Sequence, residues 1–332
     1  MTRLTALLRV MNPHLDGHAD RLDALAASTK ALRGDLRALG REAAGLEAQV
    51  EPVRRDLARL LALQQSERST PAELDRLASV MDEARVSAHV RDATLRADLI
   101  EYPVPHLIVS NVLPRDVYAA ALSVIPDPVF FDAASESIQT MRVPPRLAPV
   151  HVIAAWAFLW NVVKGTLTQA IVDRFYTQVI TYARTLQASP STDPDAELRF
   201  VAEPGRIVLR RPGSNQPAVG RRPWHWLTVV VNLAGPGDTD AYGSRLALPE
   251  RAAGPPREPE AQLGAVIPFR GNTALAVFDP GGGLAHEPIP RDVSSDTIRF
   301  TYEVAIGLDR QTRRTLLAGM DEPARRAWGT GA

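Results

Sequence analysis

The last β-like segment of the chain carries a side chain suited to binding an anion. From Ile298 to Ile306, apolar residues alternate with Arg299, Thr301 and Glu303. Because successive side chains of a strand point to opposite faces, the apolar set predicts a face packed on helices, and the other set predicts a polar cavity. Arg299 is therefore predicted to point into that cavity. Its guanidinium offers planar, bidentate donors that suit a carboxylate.

Two histidines could also contribute chemistry. His286 follows a glycine-rich turn and precedes Arg299 by 13 residues. His225 stands beside Trp224 and could supply an imidazole to a metal if the preceding loop rearranged. Each also has an ordinary interpretation, His286 as a loop residue and His225 as part of an aromatic cluster at the mouth of a pocket. Neither can be assigned from spacing alone.

Composition excludes several classes of function. The 332 residues include no cysteine, which excludes disulfides, thiolate metal sites and cysteine nucleophiles and is compatible with a cytoplasmic location. Lys+Arg and Asp+Glu balance at 38 each, so we expect no nucleic-acid partner. The longest apolar stretch, Val150–Val163, is too short to span a bilayer and predicts a buried helix. No phosphate-binding glycine motif or nucleophile elbow occurs.

Residues 1–100 predict a helical coiled-coil region. Between Leu22 and Leu60, leucine or valine fills ten of the twelve a and d positions of a heptad repeat, although Pro52 interrupts it with a local kink. A second amphipathic helix is predicted from Thr70 to about Leu99. The repeat favours self-association or an antiparallel hairpin with this second helix, and packing on the chain's own domain is the alternative.

Residues 101–310 predict an α+β domain, and residues 311–332 a C-terminal helical tail. A loop-rich stretch is expected between Pro126 and Pro149, and the apolar faces of the helices need a sheet to cover. Short runs with turn residues between them predict antiparallel strands. The predicted helices are Pro114–Ile125, Val150–Lys164 and Leu167–Leu186. The predicted strands are His106–Leu113, Arg199–Ala202, Ile207–Arg211, Leu227–Leu233, Ser244–Leu248, Leu263–Phe269, Thr273–Phe278 and Asp296–Ile306.

Five segments, in this order, match a known family pattern. They are PHLIVSNVLPRDVYAAAL from Pro105, RIVLRRPG from Arg206, WLTVVVNLAGPGDTDAYGSRLAL from Trp226, NTALAVFDPGGGLAHEPIP from Asn272 and DTIRFTYEVAIG from Asp296. The region resembles the 2-oxoglutarate/Fe(II)-dependent oxygenases of the prolyl-hydroxylase-like type. The resemblance implies a double-stranded β-helix, or jelly roll, backed by helices. It also implies a site in which two histidines and one carboxylate hold iron.

The resemblance assigns roles to particular residues and shows a departure from the pattern. His286 takes the place of the distal iron ligand, and Arg299 that of the arginine that grips the oxoglutarate carboxylate. The proximal His-x-Asp pair is replaced by Ala218-Val219-Gly220, and neither Ala218 nor Gly220 can bind a metal. Arg221 follows at the edge of the implied pocket, together with Trp224 and His225.

The function predicted from these residues is a degenerate oxygenase-like domain, without iron, that serves binding or scaffolding on a coiled-coil oligomer. Its partner would be a small anionic ligand or a protein. The alternative is an active dioxygenase that hydroxylates a protein, peptide or small molecule and uses Fe(II) and 2-oxoglutarate with other ligands. In a third interpretation the helical stalk carries the function and the β-domain is only a structural head.

Overall fold

The computed structural model describes nine stretches of the chain, which form two compact units. The stretches are 14–67, 69–135, 137–186, 198–212, 224–234, 239–246, 265–280, 284–286 and 298–329. The first unit is Met1–Ala62 and the second is Leu63–Ala332. Predictions for Ala218, Gly220 and Arg221 lie outside the described residues.

A long helix, α1 (His14–Ser66), continues through Pro52, and its residues up to Ala62 form the described part of the first unit. The long N-terminal helix is thus as predicted. Its d-position side chains are largely in solvent, with Leu25 65% and Leu60 61% exposed. The apolar seam that the heptad repeat predicts is therefore a real feature of the helix surface.

Two short helices replace the single second helix expected from the sequence. They are α2 (Thr70–Val80) and α3 (Glu83–Arg96), and the break falls at Met81 and Asp82. Asp82 caps α3, since its side chain accepts a hydrogen bond of 2.7 Å from the Arg85 backbone N–H. Both helices belong to the second unit, so the boundary between units lies well before residue 100.

The remaining elements alternate short strands with a block of helices. They are β1 (Leu99–Ile100), β2 (His106–Ser110), α4 (Arg115–Ser123), β3 (Asp132–Ala133), β4 (Ile138–Arg142), α5 (Val150–Val162), a π turn (Val163–Leu167), α6 (Thr168–Arg174), α7 (Tyr176–Thr185), β5 (Phe200–Ala202), β6 (Arg206–Arg210), β7 (His225–Asn232), β8 (Thr239–Leu246), β9 (Val266–Phe269), β10 (Thr273–Phe278), β11 (Leu284–His286), β12 (Arg299–Leu308), α8 (Arg310–Gly319) and α9 (Glu322–Gly329). Strand β4 lies in the stretch predicted to be loops.

The described strands form two antiparallel sheets, which agrees with the predicted α+β class. The larger has the order β1-β2-β10-β7-β12-β6-β4-β3, with β5 also paired to β12, and the smaller has the order β11-β8-β9. An apolar cluster joins the two, because Val230 and Leu275 of the larger sheet pack with Leu246 and Ile267 of the smaller one. One face of the larger sheet therefore lies against the smaller sheet.

The helices cover the opposite face of the larger sheet. The Trp156 indole of α5 meets the Tyr302 ring of β12 edge-on, with centroids 5.6 Å apart, and Tyr182 of α7 meets Phe278 of β10 at 5.9 Å. The apolar face predicted for β12 is thus found on the helices. The continuous helical stretch Val150–Arg174 is long and apolar enough to cross a membrane by length and composition alone. Trp156 is nevertheless fully buried in this unit, as predicted for a core helix.

Candidate functional site

A polar cluster, buried except for Arg206, lies on the face of the larger sheet that is turned away from the helices. Strands β6 and β12 pair so that Arg210 lies opposite Arg299 and Arg206 opposite Glu303. The Arg210 guanidinium donates to Thr301 Oγ1 at 2.8 Å and to Glu303 Oε1 at 2.6 Å. Glu303 Oε2 accepts from Arg206 at 3.1 Å. We call these five residues the arginine cluster.

Arg299 lies between the two sheets. Its side chain is 1% exposed, and its Cζ atom is 5.5 Å from the centroid of the Phe269 ring on β9. This distance is within the range of a cation–π contact. Arg299 thus has the inward orientation that the alternation of β12 predicts. Burial of a guanidinium in a low-dielectric interior strengthens its attraction for an anion relative to the same group in water.

The interior next to the arginine cluster is apolar. Val230, Leu275 and Val277 of the larger sheet, together with Ile267 of the smaller one, are all less than 8% exposed. Polar groups therefore concentrate at the end of the sheets where β12 begins.

The backbone places His286 in the smaller sheet. Its Cα is the register partner of Ser244, which in turn pairs with Ile267 on β9. Ser244 is buried, with 7% of its surface exposed. The prediction for the His286 side chain lies outside what the structure describes. Among the residues whose side chains are described, no three of His, Asp and Glu form a group that could hold a metal ion.

Trp224 and His225 do not lie at the same end of the sheet as Arg299. His225 pairs with Gly307, eight residues along β12 from Arg299, a separation of about 26 Å at ~3.3 Å per residue. Its Nε2 atom is 2.6 Å from Glu203 Oε1, so the imidazole forms a hydrogen bond elsewhere. The prediction that His225 could join a metal site near Arg299 does not fit this register.

Trp224 takes part in an aromatic cluster with the C-terminal helix. Its indole N–H donates to the Trp328 carbonyl at 3.1 Å, and the two indole rings lie 5.2 Å apart. An aromatic cluster was predicted for this residue, but at the mouth of the pocket. The structure places it beside the far end of β12, because the Leu308 N–H donates to the Trp224 carbonyl.

Sequence reasoning missed the part that Arg210 plays. No role was predicted for Arg210, whereas its side chain is 1% exposed and lies beside Arg299. Strand β6 has β12 on one side and β4 on the other, and β4 was not predicted. The available signal was the polar face of β12, since Glu303 on a buried strand requires a cationic partner.

Comparison with solved structures gives distant matches. One match is an oxidoreductase of the 2OG-Fe(II) oxygenase family from Burkholderia pseudomallei, which is 11% identical in sequence. The matched region covers 68% of this chain and 90% of that protein, with a TM-score of 0.37. A prolyl-4-hydroxylase from Pseudomonas putida is 14% identical, covers 67% and 97%, and has a TM-score of 0.39. These neighbours are 2-oxoglutarate/Fe(II) oxygenases.

A third match has its ligands bound. HygX from Streptomyces hygroscopicus, solved with nickel, 2-oxoglutarate and hygromycin B, is 12% identical, covers 61% of this chain and 82% of its own, and has a TM-score of 0.37. No family model and no curated protein matches the chain. Similarities this distant carry no argument about activity, which has to come from the chain's own residues.

Proposed function

We propose that residues 101–310 form a degenerate 2-oxoglutarate/Fe(II) oxygenase-like domain, built as a double-stranded β-helix, that binds a small carboxylate without oxidising a substrate. A protein partner or a scaffolding role would use the same domain. The observation that carries the proposal is the position of Arg299. It is a buried arginine on the interior face of β12, beside an aromatic ring of the second sheet.

The arginine cluster supports binding of a carboxylate. Arg299 and Arg210 lie opposite each other on adjacent strands, so their positive charges act on the same small volume. Glu303 accepts hydrogen bonds from Arg210 and Arg206, which fixes the orientation of the Arg210 guanidinium. Charge-assisted bonds to a planar guanidinium are among the stronger polar contacts available to a carboxylate. In this proposal Arg299 is the residue that contacts the ligand.

The donor set does not fit iron. In the assigned loop, Ala218 and Gly220 occupy the positions of the proximal ligands, and neither side chain has a donor atom. His286 would remain as the one ligand of the facial set, and one imidazole does not hold Fe(II) against water. We therefore derive no reaction step through a metal, and we interpret His286 as a remnant of the distal ligand.

Isothermal titration calorimetry with 2-oxoglutarate, without metal, tests the carboxylate site. We expect the wild-type chain to bind and Arg299→Met to lose at least about tenfold in affinity, because a hydrogen bond to a charged group contributes roughly 1.5–3 kcal/mol. Arg142→Met is the matched control, since Arg142 is an exposed arginine on β4 of the same sheet. Near-ultraviolet circular dichroism of each variant verifies folding. Equal affinities for all three proteins would overturn the carboxylate site.

Anaerobic loading with Fe(II), followed by admission of air in the presence of 2-oxoglutarate, tests the loss of catalysis, because the conversion of 2-oxoglutarate to succinate consumes dioxygen. We expect no stoichiometric iron and no succinate release from 2-oxoglutarate. Stoichiometric iron with succinate release would establish the active alternative instead. The double substitution Ala218→His and Gly220→Asp is expected to confer Fe(II) binding on the chain. If iron content does not rise, the loop has been assigned wrongly to the ligand positions.

A further inference from the structure

The exposed seam of α1 is the largest apolar surface feature of the first unit. By the heptad repeat of the sequence it runs through the a positions, every seventh residue from Leu22, and the d positions, every seventh residue from Leu25 to Leu60, and its described side chains begin at Leu25. The six d-position side chains are leucine or valine, and each is 61–67% exposed. The seam spans about 58 Å at ~1.5 Å per residue, which far exceeds the scattered apolar residues of an ordinary surface.

The following helices do not offer an apolar face to cover the seam. Leu77 of α2 and Val86 and Val90 of α3 are 3%, 0% and 1% exposed, so these residues are already buried in the second unit. In a hairpin within one chain, these same side chains would have to pack on the seam as well as in the second unit. These three side chains are therefore not available to pack on the seam.

We propose that α1 pairs with α1 of a second copy of this chain as an antiparallel two-stranded coiled coil, centred near residue 41. A heptad seam is complementary to a copy of itself, because each knob of one helix enters a hole of the other. The centre follows from the ends of the seam. Pairing Leu22 of one copy with Leu60 of the other covers every a and d position in both copies.

Side-chain volumes favour the antiparallel arrangement. In a parallel pair in register, Ala43 would stack on Ala43 of the other copy and Thr29 on Thr29, which leaves one underfilled and one polar layer. In the antiparallel pair, Ala43 meets Leu39 and Thr29 meets Val53. Every layer then contains at least one leucine or valine, which gives uniform packing along the seam.

Charges beside the seam favour the same arrangement. A parallel pair sets Glu42 of each copy, at a g position, next to Glu47 of the other, at an e position, which makes two repulsive contacts. The antiparallel pair sets Arg33 of each copy beside Glu47 of the other, which makes two attractive contacts, and it leaves one Glu42 pair at the centre. Gly40 lies at an e position near this centre, where the absence of a side chain permits close approach.

Sedimentation equilibrium of the full chain tests the assembly. We expect twice the monomer mass of 36.1 kDa. Leu36→Glu removes a seam leucine twice per dimer and should raise the dissociation constant at least about 100-fold. Ala48→Glu is the control, because Ala48 is exposed on the side of α1 away from the seam. A monomeric wild-type chain would overturn the proposal, whether or not the seam then binds a different protein.

Cysteine cross-linking tests the orientation, and the chain has no native cysteine to interfere. Leu25→Cys and Leu57→Cys chains with different tags are produced together and oxidised. The antiparallel pair predicts a mixed disulfide between the two variants and none when either variant is oxidised alone. Cross-linking of each variant to itself would show a parallel pair and overturn the orientation. Since α1 contributes no residue to the arginine cluster, either result leaves the proposed carboxylate site to be judged separately.

Discussion

Arg210 and Arg299 lie directly opposite each other on neighbouring antiparallel strands, and each side chain is 1% exposed. Like charges at such positions repel. Glu303, four residues further along β12 from Arg299, offsets this repulsion, because its Oε1 atom is 2.6 Å from an Arg210 nitrogen. The buried carboxylate thus makes the close approach of the two arginines possible.

Glu303→Ala should lower the free energy of unfolding by about 3–5 kcal/mol, since removing one partner of a buried ion pair leaves the other charge uncompensated. Urea denaturation measures the change. Glu322→Ala is the control, because the Glu322–Arg326 pair is exposed on α9 and should contribute at most about 1 kcal/mol. Equal losses for the two variants would contradict the importance assigned to burial.

Tyr302→Phe should leave stability unchanged or raise it by up to about 1–2 kcal/mol. Burial raises the pKa of the Tyr302 phenol well above its ordinary value, and no described residue forms a hydrogen bond with the hydroxyl. Removing an unsatisfied buried hydroxyl relieves its desolvation cost. Tyr118→Phe is the matched control, because the Tyr118 hydroxyl donates to the Leu233 carbonyl and its loss should cost about 1 kcal/mol. Thermal unfolding compares the two. A Tyr302→Phe protein less stable than Tyr118→Phe would refute the expectation.

Asp309 should make stability depend on pH at the start of α8. The backbone N–H of Thr312 donates to its carboxylate at 2.7 Å, and this bond holds the pKa of Asp309 below its ordinary value. A depressed folded-state pKa contributes stability that is present above the unfolded value, near 3.8, and is lost as pH falls through the folded value.

Two variants separate the charge of Asp309 from its capping role. Asp309→Ala should lose about 1 kcal/mol at neutral pH, because the helix loses its N-cap. Asp309→Asn keeps a capping oxygen but cannot titrate, so it should retain most of this stability and lose the acid-dependent part. Urea denaturation of the three proteins from pH 6 to pH 2.5 measures both effects. Parallel pH profiles for wild type and Asp309→Asn would show that another group is responsible.

Truncation should reveal where the second unit begins. Removal of residues 1–62 should leave cooperative unfolding of the remaining unit nearly unchanged. Removal of residues 1–99 also deletes Leu77, Val86 and Val90, which are 3%, 0% and 1% exposed. At about 1.5–3 kcal/mol for each buried side chain, this loss approaches the whole stability of a typical domain. Near-ultraviolet circular dichroism of the two truncated proteins shows which of them keeps a native tertiary structure. A native spectrum after the longer deletion would place the boundary near residue 100 after all.

Local sequence patterns were sufficient for the principal strands. The segments observed as β6, β7, β10 and β12 were predicted to within three residues, because β-branched and alternating residues mark them directly. Strand β4 was missed, since Ile138–Arg142 is short and lies among prolines. The break between α2 and α3 was missed because Asp82 fits both a helix interior and an N-cap, and only tertiary packing selects the cap.

Only one property of the site, the orientation of Arg299, could be predicted, because it follows from the alternation of side chains along β12. That rule fixes which face of β12 carries Arg299, but it does not reveal which strands flank β12. It therefore gives no indication that Arg210 joins the site, whereas pairing on both sides of β6 buries this residue. His225 was assigned near the pocket because it follows the loop in sequence. His225 begins β7, and the length of this strand separates it from the end of the sheet where Arg299 lies. The order of residues along the chain does not reveal this distance.

The position of β12 in the larger sheet has a consequence for synthesis on the ribosome. It lies between β7 and β6, yet about 70 residues separate it from β7 along the chain. Until residue 308 has left the exit tunnel, the nascent chain exposes the unpaired edges of both neighbours. Pairings of such high contact order form slowly, and open strand edges promote aggregation in the meantime. Completion of the larger sheet should therefore wait for the synthesis of β12, and the folding yield should depend on chaperones that shield β6 and β7.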